Sequence, residues 1–287
     1  MNFQTKPLTA GLYFVATPIG SARDITLRAL DILASADVLA AEDTRTLRKL
    51  MEIHGVPLNG RQIVAYHDHS GDGPTARLVA AVHAGQSVAY VSEAGTPLIA
   101  DPGYELGGAM AEAGHPVTAA PGASALLAAL TVSGLATDRF AFVGFLPNTE
   151  AKRRTAVADL RALPMTLVIY ESPKRVKDLL VNLRDGLGKE RAAVVCRELT
   201  KKFEEVARGT LGSLADDFAD RTVKGEVVVL VGRSDGAEND DLDVEKALRD
   251  ALGSMRVKDA ATAVAGALGL PRREVYQLAL TLAKESS

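Results

Sequence analysis

From Leu12 to about Val231, short runs of β-branched and other apolar residues alternate with amphipathic helical stretches, and this alternation constrains the fold more than any other feature. A strand buried on both faces reads as a continuous apolar run, and helices between such strands supply the crossovers of a parallel sheet. In the first half the expected strands are Leu12–Thr17, Asp37–Ala41, Gln62–Tyr66, Val88–Ser92 and Pro116–Ala119. Helices are expected over Leu27–Ser35, Thr46–His54, Thr75–Ala84 and Tyr104–Ala113, and Pro121–Gly122 closes this half. The second half has strands near Phe140–Phe145, Met165–Tyr170, Ala192–Cys196, Glu204–Ala207 and Glu226–Val231. Its helices are Ala123–Leu130, Lys152–Leu163 and Arg175–Arg184, and its closely spaced last strands predict antiparallel pairing. The fold class is α/β, with one half over residues 1–121, a second over 122–236 and a helical tail over 237–287.

The tail is set off by a change of composition. Arg233–Asp243 holds five acidic residues and few apolar ones, so it reads as a linker. After it, Val257, Ala260, Ala261, Val264 and Leu268 share one helical face, and Val275, Leu278, Ala279 and Leu282 share the next. Gly269 stops the first of these helices and Pro271 opens the second at its first turn. A helix–turn–helix-like pair of this kind is either a packing cap or a docking element for RNA through Arg249, Arg256, Lys258, Arg272, Arg273 and Lys284.

Charge narrows the partners. The 287 residues carry 33 basic and 36 acidic side chains, a net −3, so the chain lacks the basic excess of a protein that coats a phosphate backbone. Any RNA contact must come from a local cluster. Aromatic residues make up only 5% and tryptophan is absent, which argues against a stacking platform of the single-strand-binding type. The longest apolar stretch, Ala123–Ala136, is interrupted by Ser124, Thr131, Ser133 and Gly134 and is too short to span a bilayer. No secretory signal is visible, and the single Cys196 has no internal disulfide partner. A cytoplasmic protein is expected, with neither membrane nor DNA among its partners.

Several chemical signatures are missing. There is no G-x-x-x-x-G-K-[ST] phosphate loop, no G-x-G-x-x-G after a strand and no G-x-S-x-G elbow. His67 and His69 flank Asp68 and could begin a metal site, but no second His or Cys cluster completes one, and polar groups at a strand end facing a ligand cleft are the better reading of them. No metal is expected. What stands out are three strand-end loops rich in Gly, Pro and small residues: residues 16–21, residues 92–103 and residues 120–125. Such loops bring backbone amides and carbonyls close to a ligand, and ligands of α/β sheets bind at the carboxyl ends of strands. Each loop alone is also plain strand-to-helix punctuation.

Taken in order, the strings G-L-Y-F-V-A-T-P-I-G, A-E-D-T-R, H-D-H, S-E-A-G-T-P-L-I-A-D-P-G, P-G-A-S-A, G-F-L-P, Y-E-S-P-K-R, R-E-L-T-K and K-G-E-V-V-V-L-V-G resemble one family closely. It is the tetrapyrrole-methylase superfamily, and within it the ribosomal branch of 16S rRNA (cytidine-2′-O)-methyltransferases. The likeness runs from Gly11 to Gly232, A-E-D-T-R and Y-E-S-P-K-R being its most specific strings. It implies two α/β domains, S-adenosyl-L-methionine in the cleft between them, and a homodimer. Carried over by position, Thr17, Pro18, Glu93, Ala94, Gly95, Ile99, Ser124, Ala125, Tyr170, Glu171 and Leu199 would hold the cofactor, with Gly225 and Glu226 closing the site. Glu93 and Ser21 depart from the family, which usually has Asp and Asn there.

The implied reaction takes a methyl group to a ribose 2′-oxygen of a cytidine in the decoding region of small-subunit ribosomal RNA. A 2′-hydroxyl is a poor nucleophile, so a general base is expected, and Glu42, Asp43, His67, Asp68 and Glu171 are the candidates. Asp43 could instead cap the helix that follows, and Glu171 could pair with Arg175. RNA contacts are expected from Arg45, Lys174, Arg175 and Lys201; Lys152–Arg153–Arg154 is either a further contact or a solvated helix face. Two other readings compete: a methylase of corrin precursors, and a ribosome-binding factor without enzymatic activity.

Overall fold

In the computed structural model, which describes residues 2–67, 72–234, 237–253, 255–268 and 271–285, two five-stranded sheets carry the α/β part. The first contains β1 (Gly11–Val15), β2 (Val38–Ala41), β3 (Ile63–Ala65), β4 (Ser87–Val91) and β5 (Val117–Ala120), in the order β3-β2-β4-β1-β5, with every pairing parallel. Helices α1 (Leu27–Ser35), α2 (Thr44–Ile53), α3 (Asp72–His83) and α4 (Tyr104–Glu112) make the crossovers. Side chains of β1 alternate strictly: Tyr13 and Val15 pack with α1 and α2 on one face, Leu12 and Phe14 with α3 and α4 on the other. The crossovers after β1 and β2 therefore cover one face and those after β3 and β4 the other. At the carboxyl ends of the neighbouring strands β1 and β4 the chain leaves to opposite faces, which is where an open α/β sheet leaves a crevice.

The second sheet is mixed. β6 (Phe140–Phe145) runs parallel to β7 (Thr166–Glu171), while β8 (Ala192–Arg197), β9 (Glu205–Thr210) and β10 (Val227–Val231) pair antiparallel in the order β6-β7-β10-β8-β9. Helix α5 (Ala125–Ser133) follows β5 but packs on this second sheet, Leu126, Ala129 and Leu130 meeting Val168, Val194 and Leu230. Ile19, from the loop after β1, joins the same cluster. Cys196 is buried there, and burial pushes its thiol up to about 11, so it stays protonated and serves as packing. Helices α6 (Glu150–Leu160), α7 (Val176–Leu187) and α8 (Leu211–Phe218) complete this part. Helix α8 was not expected; its start is a reciprocal capping box between Thr210 and Ser213.

The chain divides into one unit over Met1–Asp159 and Thr166–Gly232, holding both sheets, and a second over Leu160–Met165 and Arg233–Ser287. In the second, α9 (Ala237–Leu252), α10 (Val257–Leu268) and α11 (Arg272–Glu285) bury Val244, Leu248, Ala261, Val264, Val275, Ala279 and Leu282 together. The linker reading of Arg233–Asp243 is corrected here, since helix α9 begins at Ala237. Acid-rich composition is also what the first turns of a helix favour, because the helix dipole is positive there. Pro271 precedes α11 and accepts the Val275 N–H at 3.4 Å, so it stands at the cap and not inside the first turn. Among the described residues no helix is long and apolar enough to cross a membrane.

Candidate active site

The loops after β1 and β4 are stitched to each other. Thr17 and Gly95 exchange backbone hydrogen bonds, Thr17 N–H to Gly95 O at 2.9 Å and Gly95 N–H to Thr17 O at 3.0 Å. The buried Thr17 hydroxyl donates to Ser92 O at 3.1 Å. Further along, Leu98 and Ala100 adopt left-handed backbone angles (φ 71° and 56°), uncommon for side chains with a Cβ. Ser92 Oγ donates to Asp101, and Thr96 Oγ1 donates to Ala123 O at 3.0 Å, so the 92–103 loop is anchored at both ends and to the segment before α5.

A cavity of about 360 Å³ opens against this loop. Ile19, Gly95, Ile99, Ser124 and Ala125, from the loops after β1 and β4 and the start of α5, wall it together with Tyr170, Glu171 and Val228 of the second sheet. Of the residues assigned to the cofactor by resemblance, the structure brings together Ala94, Gly95, Ile99, Ser124, Ala125, Tyr170, Glu171 and Glu226 on this wall. Thr17 is buried behind it and Leu199 sits in the apolar cluster beneath, while Pro18 and Gly225 also lie off the lining. At the start of α5, Leu126 N–H donates to the Tyr170 hydroxyl at 2.9 Å. Burial raises the Tyr170 pKa against that bond, which keeps the phenol neutral.

Glu171 is the most enclosed acid of the site. Its side chain is 0% exposed, Oε1 accepts from Ser172 N–H at 2.7 Å, and Oε2 faces Arg175 Nη2 at 3.1 Å without a hydrogen bond of good geometry. Arg175, expected to reach RNA, is turned inward instead: Nη2 donates to Leu146 O at 2.8 Å and Pro147 O at 3.2 Å, and Nη1 to Asn148. Arg153 is likewise buried, on Asn182 Oδ1 at 2.6 Å, while its neighbour Arg154 pairs with Glu150 at the surface. A guanidinium on backbone carbonyls satisfies buried acceptors, which explains why a basic run in the sequence does not make a basic surface here.

A second cavity, about 550 Å³, adjoins the first and is walled by Glu42, Glu93, Asp101, Glu226 and Phe145; Asp101, Glu226 and Phe145 belong to both. Glu93 thus lies outside the first cavity. Asp43 is the N-cap of α2, accepting Arg45 N–H at 2.7 Å, and its paired Arg45 side chain holds its carboxyl down to about 2. Arg45 is exposed at 89% and also feels Glu93. Lys201 Nζ bridges Glu198 Oε1 and Glu226 Oε2, both at 2.8 Å; burial works against its charge and the two carboxylates outweigh it. Lys174 is exposed. His67 is exposed after the edge strand β3 and lines neither cavity; Asp68 and His69 fall outside the described residues. Among the described residues no group of three or more His, Cys, Asp or Glu could hold a metal ion. Sequence reasoning had not singled out Asp101 or Phe145, although both stand in strings it had quoted.

Comparison with known proteins places these features. The profile of the Tetrapyrrole (Corrin/Porphyrin) Methylases matches residues 11–215, and that of the RsmI C-terminal HTH domain matches residues 238–283. The chain is 45% identical over 278 residues to a ribosomal RNA small subunit methyltransferase I of Mesorhizobium japonicum, covering 96% of this chain and 94% of the relative. It is 42% identical over 276 residues to the protein of the same name from Synechocystis, with 94% and 98% covered. Among solved structures, uroporphyrin-III C-methyltransferase of Thermus thermophilus, complexed with S-adenyl homocysteine, superposes with a TM-score of 0.55 at 23% identity, covering 77% of this chain and 97% of that one.

Proposed function

This chain belongs to the tetrapyrrole methylase family, among the ribosomal RNA small subunit methyltransferases I, and from that premise we propose that it methylates the 2′-oxygen of a cytidine in the decoding region of small-subunit ribosomal RNA. It is an S-adenosylmethionine-dependent methyltransferase. The observation that carries the reading is 45% and 42% identity with two ribosomal enzymes over 96% and 94% of this chain, tail included. The tetrapyrrole methylase neighbour covers 77% of the chain, and the tail has its own family profile, which speaks against a corrin-precursor methylase.

The first cavity suits the cofactor. Its apolar wall of Ile19, Ile99 and Val228 can take an aromatic base, and the buried Glu171 Oε2 without a hydrogen bond can accept one from a ribose hydroxyl. The bound sulfonium supplies an activated methyl group; the chain's part is alignment, exclusion of water and removal of the nucleophile's proton. Of the side chains offered as base, Glu42 and Glu171 stand on cavity walls, whereas Asp43, held at about 2 by Arg45, is a weak one. The exposed Arg45 and Lys174, and Lys201 on Glu226, remain the assigned RNA contacts near the cavities, and the tail offers Arg256, Lys258, Arg272 and Arg273 of its own. A homodimer is part of the proposal, supported by exposed Leu127 and Phe140 beside an apolar groove over α5.

The test is methyl transfer from labelled S-adenosylmethionine, run in parallel on small ribosomal subunits, free ribosomal RNA and a tetrapyrrole precursor. Label on one cytidine 2′-oxygen is expected; label on the tetrapyrrole alone, or on no substrate, refutes the proposal.

A further inference from the structure

Phe145 ends β6, an edge strand, and 56% of it is exposed to solvent, a large apolar surface left open beside the candidate active site. Its direction is imposed by a bulge. Phe142 pairs in register with Val168, but Gly144 pairs with Ile169 and Phe145 with Tyr170, so Val143 is an extra residue and Gly144 takes φ +71°. A bulge shifts the side-chain alternation by one, and Phe145 thereby shares a face with Phe142 instead of opposing it. Both rings meet Tyr170 edge-on, at 4.9 Å and 5.9 Å between centroids. The segment beyond is clamped by Arg175 on Leu146 O and Pro147 O, and by Arg153 Nη1 on Asn148 O at 3.2 Å. An aromatic ring that is re-aimed, braced and still exposed is a prepared surface.

That ring walls both cavities, and what enters the second cavity meets the first across it. Resting on the proposed reaction, we infer that Phe145 is the stacking surface for the target nucleoside, which enters the second cavity flipped out of its strand with its 2′-oxygen turned toward the first. Sequence-specific readers of RNA stack splayed bases on aromatic side chains and hydrogen-bond their edges. The second cavity is walled by the side chains of Glu42, Glu93, Asp101 and Glu226, whose carboxylate oxygens are hydrogen-bond acceptors. Cytosine presents an amino donor at the edge where uracil presents a carbonyl, so this lining selects the former. The same carboxylates repel phosphate, which assigns the flanking phosphates to the rim, where Arg45 stands beside Glu93 and Lys201 on Glu226.

The experiment compares wild type, Phe145→Leu and Phe145→Trp for methyl transfer to small ribosomal subunits and for S-adenosylmethionine affinity by calorimetric titration. Leucine keeps an apolar wall and removes the π face; tryptophan keeps the face. Loss of a base stack should lower kcat/KM of Phe145→Leu by about tenfold to a hundredfold. Cofactor affinity should fall by much less than the transfer rate, since leucine keeps the apolar wall of the first cavity; an unchanged urea midpoint certifies folding, and Phe145→Trp should retain most activity. On subunits bearing uridine at the target position, the wild type should fall by a comparable factor. A Phe145→Leu enzyme as efficient as wild type, or one whose cofactor affinity falls as far as its transfer rate, overturns the inference while leaving the proposed reaction standing. A wild type that methylates no cytidine refutes both.

Discussion

Gly225→Ala tests the junction that holds Glu226 at the site. Gly225 has φ +85°, and a Cβ there would collide with the Glu198 carboxylate, which accepts Glu226 N–H at 3.1 Å and the Lys201 ammonium at 2.8 Å. Alanine in the left-handed region costs about 1–2 kcal/mol. Glu198 is a flexible side chain and can swing aside, so the second cost is its lost hydrogen bonds. These are partly exposed, and together they are worth about 1–2 kcal/mol after discounting for solvent screening. The sum is about 2–4 kcal/mol. Gly55→Ala is the control: φ is +67° but nothing lies within 4 Å of the new Cβ, so only the backbone cost remains. Urea unfolding should show Gly225→Ala destabilised beyond Gly55→Ala by about 1–2 kcal/mol. S-adenosylmethionine affinity should fall for Gly225→Ala alone, because Glu226 N–H loses its bond to Glu198. In a Glu198→Ala background the two glycine replacements should cost about the same. Equal destabilisation by the two glycine replacements would refute the reasoning, since Glu198 would then hold nothing.

The two arginines assigned to RNA from sequence should separate. Arg175→Ala leaves the fully buried Glu171 carboxylate uncompensated and frees the carbonyls of Leu146 and Pro147, so it should destabilise the protein by about 3–5 kcal/mol in urea unfolding. Arg45→Ala, at a solvent-exposed pair with Asp43, should move the unfolding midpoint only slightly and lower affinity for ribosomal substrate; equal loss of stability in both would contradict these placements. Asp43 supplies a pH test. Its folded pKa, about 2, lies below the unfolded 3.8, so the stability it contributes is present above pH 3.8 and is lost as pH falls through about 2. The carboxyl carbon of Asp43 should titrate near 2 by NMR and move up in Arg45→Ala, whereas a midpoint at the ordinary carboxylate value would show the pair does not form in solution.

Much of the first sheet was legible because a parallel strand buried on both faces leaves an uninterrupted apolar run, and Ser87–Val91 and Gly11–Val15 lie within one or two residues of where such runs place them. Helix α1 was legible to the residue, with Thr26 capping Ala29 N–H. Strand β9 runs on through Arg208, Gly209 and Thr210 because β8 offers them backbone partners, a tertiary reason that polar side chains conceal. The acid-rich start of α9 hid a helix behind a linker's composition. At the site, the loops followed from the rule that ligands gather at the carboxyl ends of parallel strands, so Ala94, Gly95 and Ser124 could be reached from sequence. Phe145 could not, because its direction depends on a bulge. Arg153 and Arg175 could not either, since nothing in a basic residue's type announces that backbone carbonyls will claim it.

Backbone strain marks the same places independently. Among the described residues five non-glycine positions have left-handed φ, and four of them, Leu98, Ala100, Glu198 and Thr200, lie in the loops after β4 and β8. Such conformations cost about 1–3 kcal/mol each and persist only where the surroundings over-determine them. Here the surroundings can be named. The 92–103 loop is held by the Thr17–Gly95 bridge and by Thr96 on Ala123 O. The 198–201 turn is held by Glu198 N–H on Glu226 O at 3.0 Å, and its Thr200 Oγ1 accepts Ser21 N–H at 3.1 Å. Gly20 is the matching concession: a Cβ there would lie 2.5 Å from Thr200 Oγ1 and 2.9 Å from Leu199 O, so only glycine lets the β1 loop close on this turn. Leu199, Pro18 and Gly225 lie off the cavity lining, yet they belong to the segments that fix it. Residues of the quoted strings therefore divide into those that face the cavities and those that hold the facing residues still, and sequence resemblance alone does not distinguish the two.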